Sequence, residues 1–253
     1  MCRGPHLQRT GQIKAFKLLS LAGAYWRGDE SKAQLQRIYA TAFADKKQLK
    51  AHLERLEEAK KRDHRRLGKD LELFYFHQLS PGAPFFTGKG AVIYNQLQAY
   101  MREMYKKYQY QEVISPQIYD VDLFHKSGHY ENYRENMYFT EIDERSSSVK
   151  PMNCPGHCVL YSSGRRSYRD LPLRMADFGR LHRYERSGVM HGLFRVRSFC
   201  QDDAHIFCMS NQLQSEIRDF MSMLAEVYKT LGMDNYRIYL STRPQKRMGA
   251  DTS

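Results

Sequence analysis

The sequence predicts an α+β protein: a largely antiparallel sheet flanked by helices, preceded by the end of another domain. Three observations carry this. Short alternating apolar runs gather in hairpin-like groups near residues 13–43, 135–153 and 172–207. Amphipathic helical stretches stand before and after those groups, not between successive strands as a doubly wound parallel sheet requires. No Gly-x-Gly-x-x-Gly run is present, so a Rossmann nucleotide site has no support.

Taken in order, Ile13, Phe16, Leu18, Leu19 and Leu21 lead into the turn-rich Gly23–Gly28, and Leu35, Ile38, Tyr39 and Phe43 form a second strand-like run. Residues 44–67 change character. Leu49, Leu53, Leu56 and Ala59 recur at helical spacing among Lys, Arg and Glu, which predicts a solvated linker helix and a boundary near Arg62–Leu67. Pro81-Gly-Ala-Pro84 reads as a loop. Gly88-Lys-Gly90 lacks the Walker spacing and reads as a polar turn capping a helix, whose buried stripe is Ile93, Leu97, Tyr100, Met101 and Met104. Glu112–Ile118 is expected as a short strand, which Pro116 restricts to an edge or a special pairing position. Two short strands are expected around Asp143–Ser148, three more within 172–207, a helix over 211–231 and a last strand at Tyr236–Ser241.

Composition bounds the function. The chain has 253 residues, with 42% hydrophobic and 13% aromatic content, which argues against disorder. It contains neither an apolar run long enough to cross a membrane nor a secretory h-region. Forty Lys and Arg against 28 Asp and Glu leave a formal charge of +12, spread along the chain. That fits either a polyanionic partner or a well-solvated basic surface. Five cysteines without an export signal fit reduced thiols in the cytoplasm better than a disulfide framework.

Two segments carry chemistry. Cys154-Pro-Gly-His157 follows a strand-like Val149–Met152 and opens a predicted helix, whose N-terminus is expected to lower the thiol pKa. His205, on a strand, can complete a soft N/S site for zinc, although a buried cysteine and a satisfied histidine explain the same residues. Arg174, Arg180, Arg183, Arg186, Arg195 and Arg197 surround a glycine-bearing strand–loop–strand. Guanidinium forks there can grip a triphosphate from two sides, with Glu185 accepting from an amino group such as adenine's. A cross-strand ladder of surface charges is the competing reading. Cys2 and His6 form a second Cys/His pair without partners nearby in sequence.

Together these segments resemble the class II aminoacyl-tRNA synthetases, and among them the threonyl-tRNA synthetases. Val149–His157 is similar to the family's catalytic cysteine segment. Ser167–Gly179 through His182–Gly188 is similar to motif 2, Arg195–His205 to the strand after it, Tyr110–Pro116 to motif 1, and Ser127–His129 to the segment beyond. Cys2–Trp26 resembles the end of the editing domain. The resemblance divides the chain into an editing-domain remnant (1–43), a linker helix (44–67) and the first part of a catalytic core with motifs 1 and 2 (68–253).

It also implies roles. The activity would be adenylation of threonine with ATP and Mg2+, then transfer to tRNA(Thr), in a homodimer with Pro116 at the interface. Cys154 and His205 would be two of three ligands of a catalytic zinc that binds the amino and hydroxyl groups of threonine. Such a metal rejects isosteric valine, which an apolar pocket alone rejects poorly. Arg183 would hold the α-phosphate, Glu185 the adenine amino group and Arg195 the phosphates. Gln201 and Asp203 would face the amino acid, Met152 would line its pocket, and His129 would assist transfer. Cys2 and His6 would be half of an editing site. The third zinc ligand and motif 3 of the family have no match, and Met1 before Cys2 and the capless Ser253 are expected to be cuts in a longer protein. Cys200 and His125 stand where threonine and tryptophan are usual. An alternative is a catalytically incompetent relative that keeps the fold and nucleotide or tRNA affinity.

Overall fold

The computed structural model describes residues 4–242, which divide into two compact units between Leu67 and Gly68. Among the described residues no helix is long and apolar enough to cross a membrane.

The first unit is built on one long hairpin. β1 (Ala15–Tyr25) pairs antiparallel with β2 (Gln34–Phe43), with a register shift between Leu18 and Ser20. α1 (Lys46–Lys61) follows, capped by Asp45, whose carboxylate accepts from the Gln48 amide at 2.8 Å. The single helix expected over 44–67 is broken. The Asp63 carboxylate accepts from the Arg65 amide at 2.9 Å, competing with the helical ladder, and α2 (His64–Asp70) begins there.

The second unit opens with a hairpin that the sequence reading missed. β3 (Phe74–His77) pairs with β4 (Ser80–Phe86), so Pro81–Pro84 is strand and not loop. β4 pairs with β3 alone, and an edge strand has an open side on which proline's missing N–H costs nothing. α3 (Gly88–Lys107) starts at Thr87, whose hydroxyl caps Gly90 N, as expected for a polar capping turn. Only part of its expected stripe is buried: Met104 is, whereas Ile93 and Leu97 are exposed.

The expected strand Glu112–Ile118 exists only as two short pieces, β5 (Gln111–Glu112) and β6 (Ile118–Asp120). Pro116 lies in the irregular stretch between them, where Ser115 is buried and makes polar contacts instead of ladder bonds. α4 (Asp122–Lys126) and α5 (His129–Tyr133) lead to β7 (Tyr138–Ile142) and β8 (Arg145–Val149). The turn of this hairpin is Asp143-Glu144, both at positive φ, so Arg145–Ser148 belong to the strand. After α6 (Cys154–Ser162) come β9 (Leu173–His182) and β10 (Ser198–Phe207), then α7 (Leu213–Thr230).

Two long strands therefore replace the three expected in 172–207; the loop between them holds a short 3-10 turn, Ser187–Val189, and an isolated bridge, His191 to Arg195. The strand expected at Tyr236–Ser241 is irregular chain. Alternation alone does not make a strand without a partner ladder.

The central sheet has the order β10-β9-β5, with β9 antiparallel to β10 and parallel to β5. A second, antiparallel sheet has the order β6-β8-β7. Ala176 of β9 packs with Met104 and Tyr105 of α3 and Met223 of α7, and Phe178 joins from two residues on. These alternate positions face the helices, so Asp177 and Gly179 face the other way. Arg174 fastens α7 to the sheet. Its Nε lies 2.6 Å from Glu216, its Nη2 2.9 Å from Asp219, and its Nη1 donates to the Tyr108 carbonyl at 2.6 Å.

Removing one partner of a largely buried pair leaves the other charge stranded. Arg174→Met is expected to destabilise this unit by about 3 kcal/mol. Hydrogen exchange of the α7 amides measures it; unchanged protection would show that the pair does not anchor the helix.

Candidate active site

The site is assembled on the face of β9 turned away from the core helices. α6 lies against it because Gly179 has no side chain: a Cβ there would collide with the Asn153 amide. Asn153 is buried, and its Nδ2 donates to Asp203 Oδ2 at 3.0 Å, while its Oδ1 is buried with no partner. Gly156 likewise admits the Tyr119 hydroxyl where a Cβ would clash. The run Asn153–His157 is thus shaped by close approach to its neighbours.

Cys154 is the first residue of α6 and is half-buried. The expected lowering of its thiol pKa does not occur. Burial pushes it up, the negative Asp203 adds to this, and the nearby Arg183 offsets only part. Desolvating a thiolate beside a carboxylate outweighs the field of one short helix. In the absence of a cation this thiol is protonated at neutral pH.

His205 sits on β10 opposite Met175. Burial holds its pKa below the ordinary imidazole value, with Asp203 opposing and His157 reinforcing. Its Nδ1 lies 2.7 Å from Nδ1 of His157, a residue with no exposed surface. Cys154 and His205 are a soft N/S donor pair of the kind zinc takes, and both feel the charge of Asp203. They fit as two donors. Among the described residues no group of three or more His, Cys, Asp or Glu side chains is arranged to hold a metal.

His129 opens α5 and faces a cavity of about 450 Å³ that it shares with Leu123, Cys154, Pro155, Cys158 and Val159. Burial lowers its pKa, so it is neutral at pH 7. Met152 is half-buried and Gln201 is exposed, opposite Gly179.

The arginine arms lie at the β9–β10 loop. Arg183 donates from Nε to the Pro151 carbonyl at 3.2 Å, and its guanidinium lies 5.8 Å from the Tyr133 ring centroid and 5.0 Å from that of Phe199. Its amide bonds the Arg197 carbonyl, and the Arg197 amide bonds the Gly82 carbonyl of β4. The nearly buried Glu185 accepts from Arg195 Nε at 2.9 Å, and its backbone carbonyl accepts from Arg197. Glu185 and Arg195, expected to meet a nucleotide separately, are therefore paired with each other.

His6 lies in the first unit and is exposed; Cys2 falls outside the described residues.

A class II tRNA synthetase core domain (G, H, P, S and T) matches residues 138–253, and the threonyl and alanyl tRNA synthetase second additional domain matches residues 1–39. The threonine–tRNA ligase of Bdellovibrio bacteriovorus is 69% identical over 251 residues, 99% of this chain and 38% of the ligase. That of Thiobacillus denitrificans is 55% identical over 254 residues, 100% of this chain and 40% of the ligase. The chain belongs to the threonyl-tRNA synthetase family. It spans about two fifths of the length of these curated relatives. The crystal structure of the RNA binding domain of threonyl-tRNA synthetase from Cryptosporidium parvum Iowa II superposes with a TM-score of 0.66 at 49% identity, covering 68% of this chain and 43% of that one.

Several residues of the site were not singled out from the sequence: Asn153, Asp177, Lys150 and Ser115. Asp177 accepts from Ser115 Oγ at 2.5 Å and lies 3.7 Å from Lys150 Nζ and 3.5 Å from His157 Nε2. A lone carboxylate in Leu173-Arg-Met-Ala-Asp-Phe178 was the available signal, because a charge inside an apolar strand needs buried partners. Burial pushes the Asp177 carboxyl up, but His157, Ser115 and Lys150 outweigh it and hold it below the ordinary range.

That shift sets a sign. An unfolded aspartate, with a pKa of about 3.9, binds protons more readily than this one, so the stabilisation is complete above that value and fades as pH falls through the folded pKa. The stability gap between the parent chain and Asp177→Asn is expected to be largest near neutrality and to shrink in acid. Urea midpoints across a pH series check this; a gap that grows towards low pH would contradict the assignment.

Proposed function

We propose that this chain supplies part of a threonine–tRNA ligase. Residues 1–43 form the end of an editing-type domain, with Cys2 and His6 as half of its site. Residues 44–67 form the linker, although as two helices, and 68–253 form the first part of the catalytic core. The observation that carries the reading is that Cys154, Asp203 and Arg183 are electrostatic neighbours on one side of the central sheet, with His129 lining the same cavity as Cys154. Metal donor, amino-acid carboxylate, phosphate-binding arginine and imidazole are the groups that aminoacyl transfer needs in one place.

In this reading Arg183 holds the α-phosphate of ATP, pre-aimed by the Pro151 carbonyl and its aromatic neighbours. Arg195 meets the outer phosphates with Mg2+ and leaves Glu185 to the adenine amino group; until then the ion pair keeps the Glu185 charge balanced. Asp203, steadied by Asn153, and Gln201 receive the threonine ammonium beside Met152. Neutral His129 accepts a proton during transfer to tRNA(Thr). A zinc held by Cys154 and His205 supplies a Lewis-acid centre that a threonine hydroxyl satisfies and a valine methyl does not. A homodimer and a cytoplasmic location complete the proposal, the latter supported by four free thiols among the described residues.

One observation favours a second reading, nucleotide and tRNA binding without transfer: the described metal donors stop at two. Two measurements separate the readings. ATP titration of the chain is expected to weaken by about tenfold or more in Arg183→Ala, the scale of a lost charged hydrogen bond; an unchanged Kd would remove Arg183 from the site. Threonine-dependent pyrophosphate exchange by the isolated chain with Zn2+ is expected to be near background. Turnover like that of a longer relative would instead place a complete catalytic set in these 253 residues.

A further inference from the structure

We propose that Asp177 is a positioning residue that acts through His157 to hold His205 as its Nδ1–H tautomer, with the Nε2 lone pair turned to the metal. The metal clause rests on the reading of Cys154 and His205 given above; the tautomer does not.

Five buried or half-buried groups stand in line. Lys150 Nζ donates to Ser115 Oγ at 2.7 Å, and Ser115 Oγ donates to Asp177 Oδ2 at 2.5 Å. From the other side His157 Nε2 lies 3.5 Å from the same Oδ2, an ion-pair contact longer than a formed hydrogen bond, and this buried nitrogen has no hydrogen-bond partner. His157 Nδ1 then meets His205 Nδ1 at 2.7 Å, with the two rings perpendicular, 4.7 Å between centroids.

Only one hydrogen fits between the two Nδ1 atoms, and the carboxylate decides which ring carries it. A carboxylate has no hydrogen to give, so the His157 nitrogen facing it must be the protonated one. Lys150 already provides a counter-charge to Asp177, so a neutral His157 satisfies the line. His157 then has its hydrogen on Nε2 and a lone pair on Nδ1. His205 must supply the hydrogen between the rings, which leaves its Nε2 bare. Metal-binding histidines are commonly fixed in this way by a carboxylate or carbonyl on the second nitrogen; here a second imidazole relays the effect.

The spacing Cys154-x-x-His157 acquires a purpose from this. Residues three apart share a helix face, so α6 delivers one donor directly and orients the other through its next turn. Lys150 fixes the far end: its amide bonds the Gln117 carbonyl and its carbonyl accepts from the His182 amide, tying the line to β9 and to the segment after β5.

The test uses the 253-residue chain with 15N-labelled histidine. Long-range 1H–15N correlation at neutral pH, assigned with His205→Gln, is expected to show His205 protonated at Nδ1 and His157 at Nε2. His205 found as the Nε2–H form, or as a mixture, overturns the proposal without any variant having to fold. Asp177→Asn is expected to turn His205 into a mixture and to weaken Co2+ binding, followed by its thiolate charge-transfer band, by about tenfold or more. Unchanged tautomer and unchanged Co2+ affinity in a folded Asp177→Asn also overturn it. The expected tautomers with no Co2+ uptake by the parent chain would sink the metal reading and leave the positioning role supported.

Discussion

The two-residue repeat of β9 is the constraint on which the second unit depends. Along Leu173–His182, Arg174, Ala176 and Phe178 turn towards α3 and α7, while Asp177 and Gly179 turn towards α6. One strand therefore carries the wall of the hydrophobic core and the floor of the site. A one-residue slip would bury Asp177 among Met104, Tyr105 and Met223 and send Ala176 to meet His157. Each face is specified by something the other cannot accept, and the register follows.

The polar face is held by a buried carboxylate with donors on both sides. Burying Asp177 alone would be costly, and so would burying Lys150 or His157 alone. Together they balance one another's charge, with Ser115 bonded to both Lys150 and Asp177 and His157 Nε2 3.5 Å from the carboxylate, and any shift leaves a more isolated group. The arginine arms follow the same logic less deeply. Arg183, Arg195 and Arg197 are each fastened to a carbonyl or carboxylate of a neighbouring segment.

Much of this was legible beforehand. The long hairpin at 15–43, the capped helix from Gly88, the β7–β8 hairpin and α7 all follow from periodicity and turn chemistry, with small shifts at their ends. Cys154 at a helix start and His205 on a strand were likewise readable. The errors share one cause. Pro81–Pro84 reads as loop because proline usually interrupts strands, yet β4 pairs with β3 on one side only. Tyr236–Ser241 reads as strand, yet among the described residues no strand pairs with it. The Cys154 thiol reads as acidic from its helix, yet Asp203, 49 positions away in sequence, and burial reverse the sign.

The sequence by itself determined the motifs, the balance of charge and most of the longer helices and strands, because these depend on neighbours a few positions away. Tertiary structure alone decided which groups meet. Asp177 and Lys150 face each other, Glu185 spends its charge on Arg195, and His157 stands behind His205. Protonation, tautomer and burial are set by the field and packing of atoms distant in sequence, and no local pattern records them until the strands have paired.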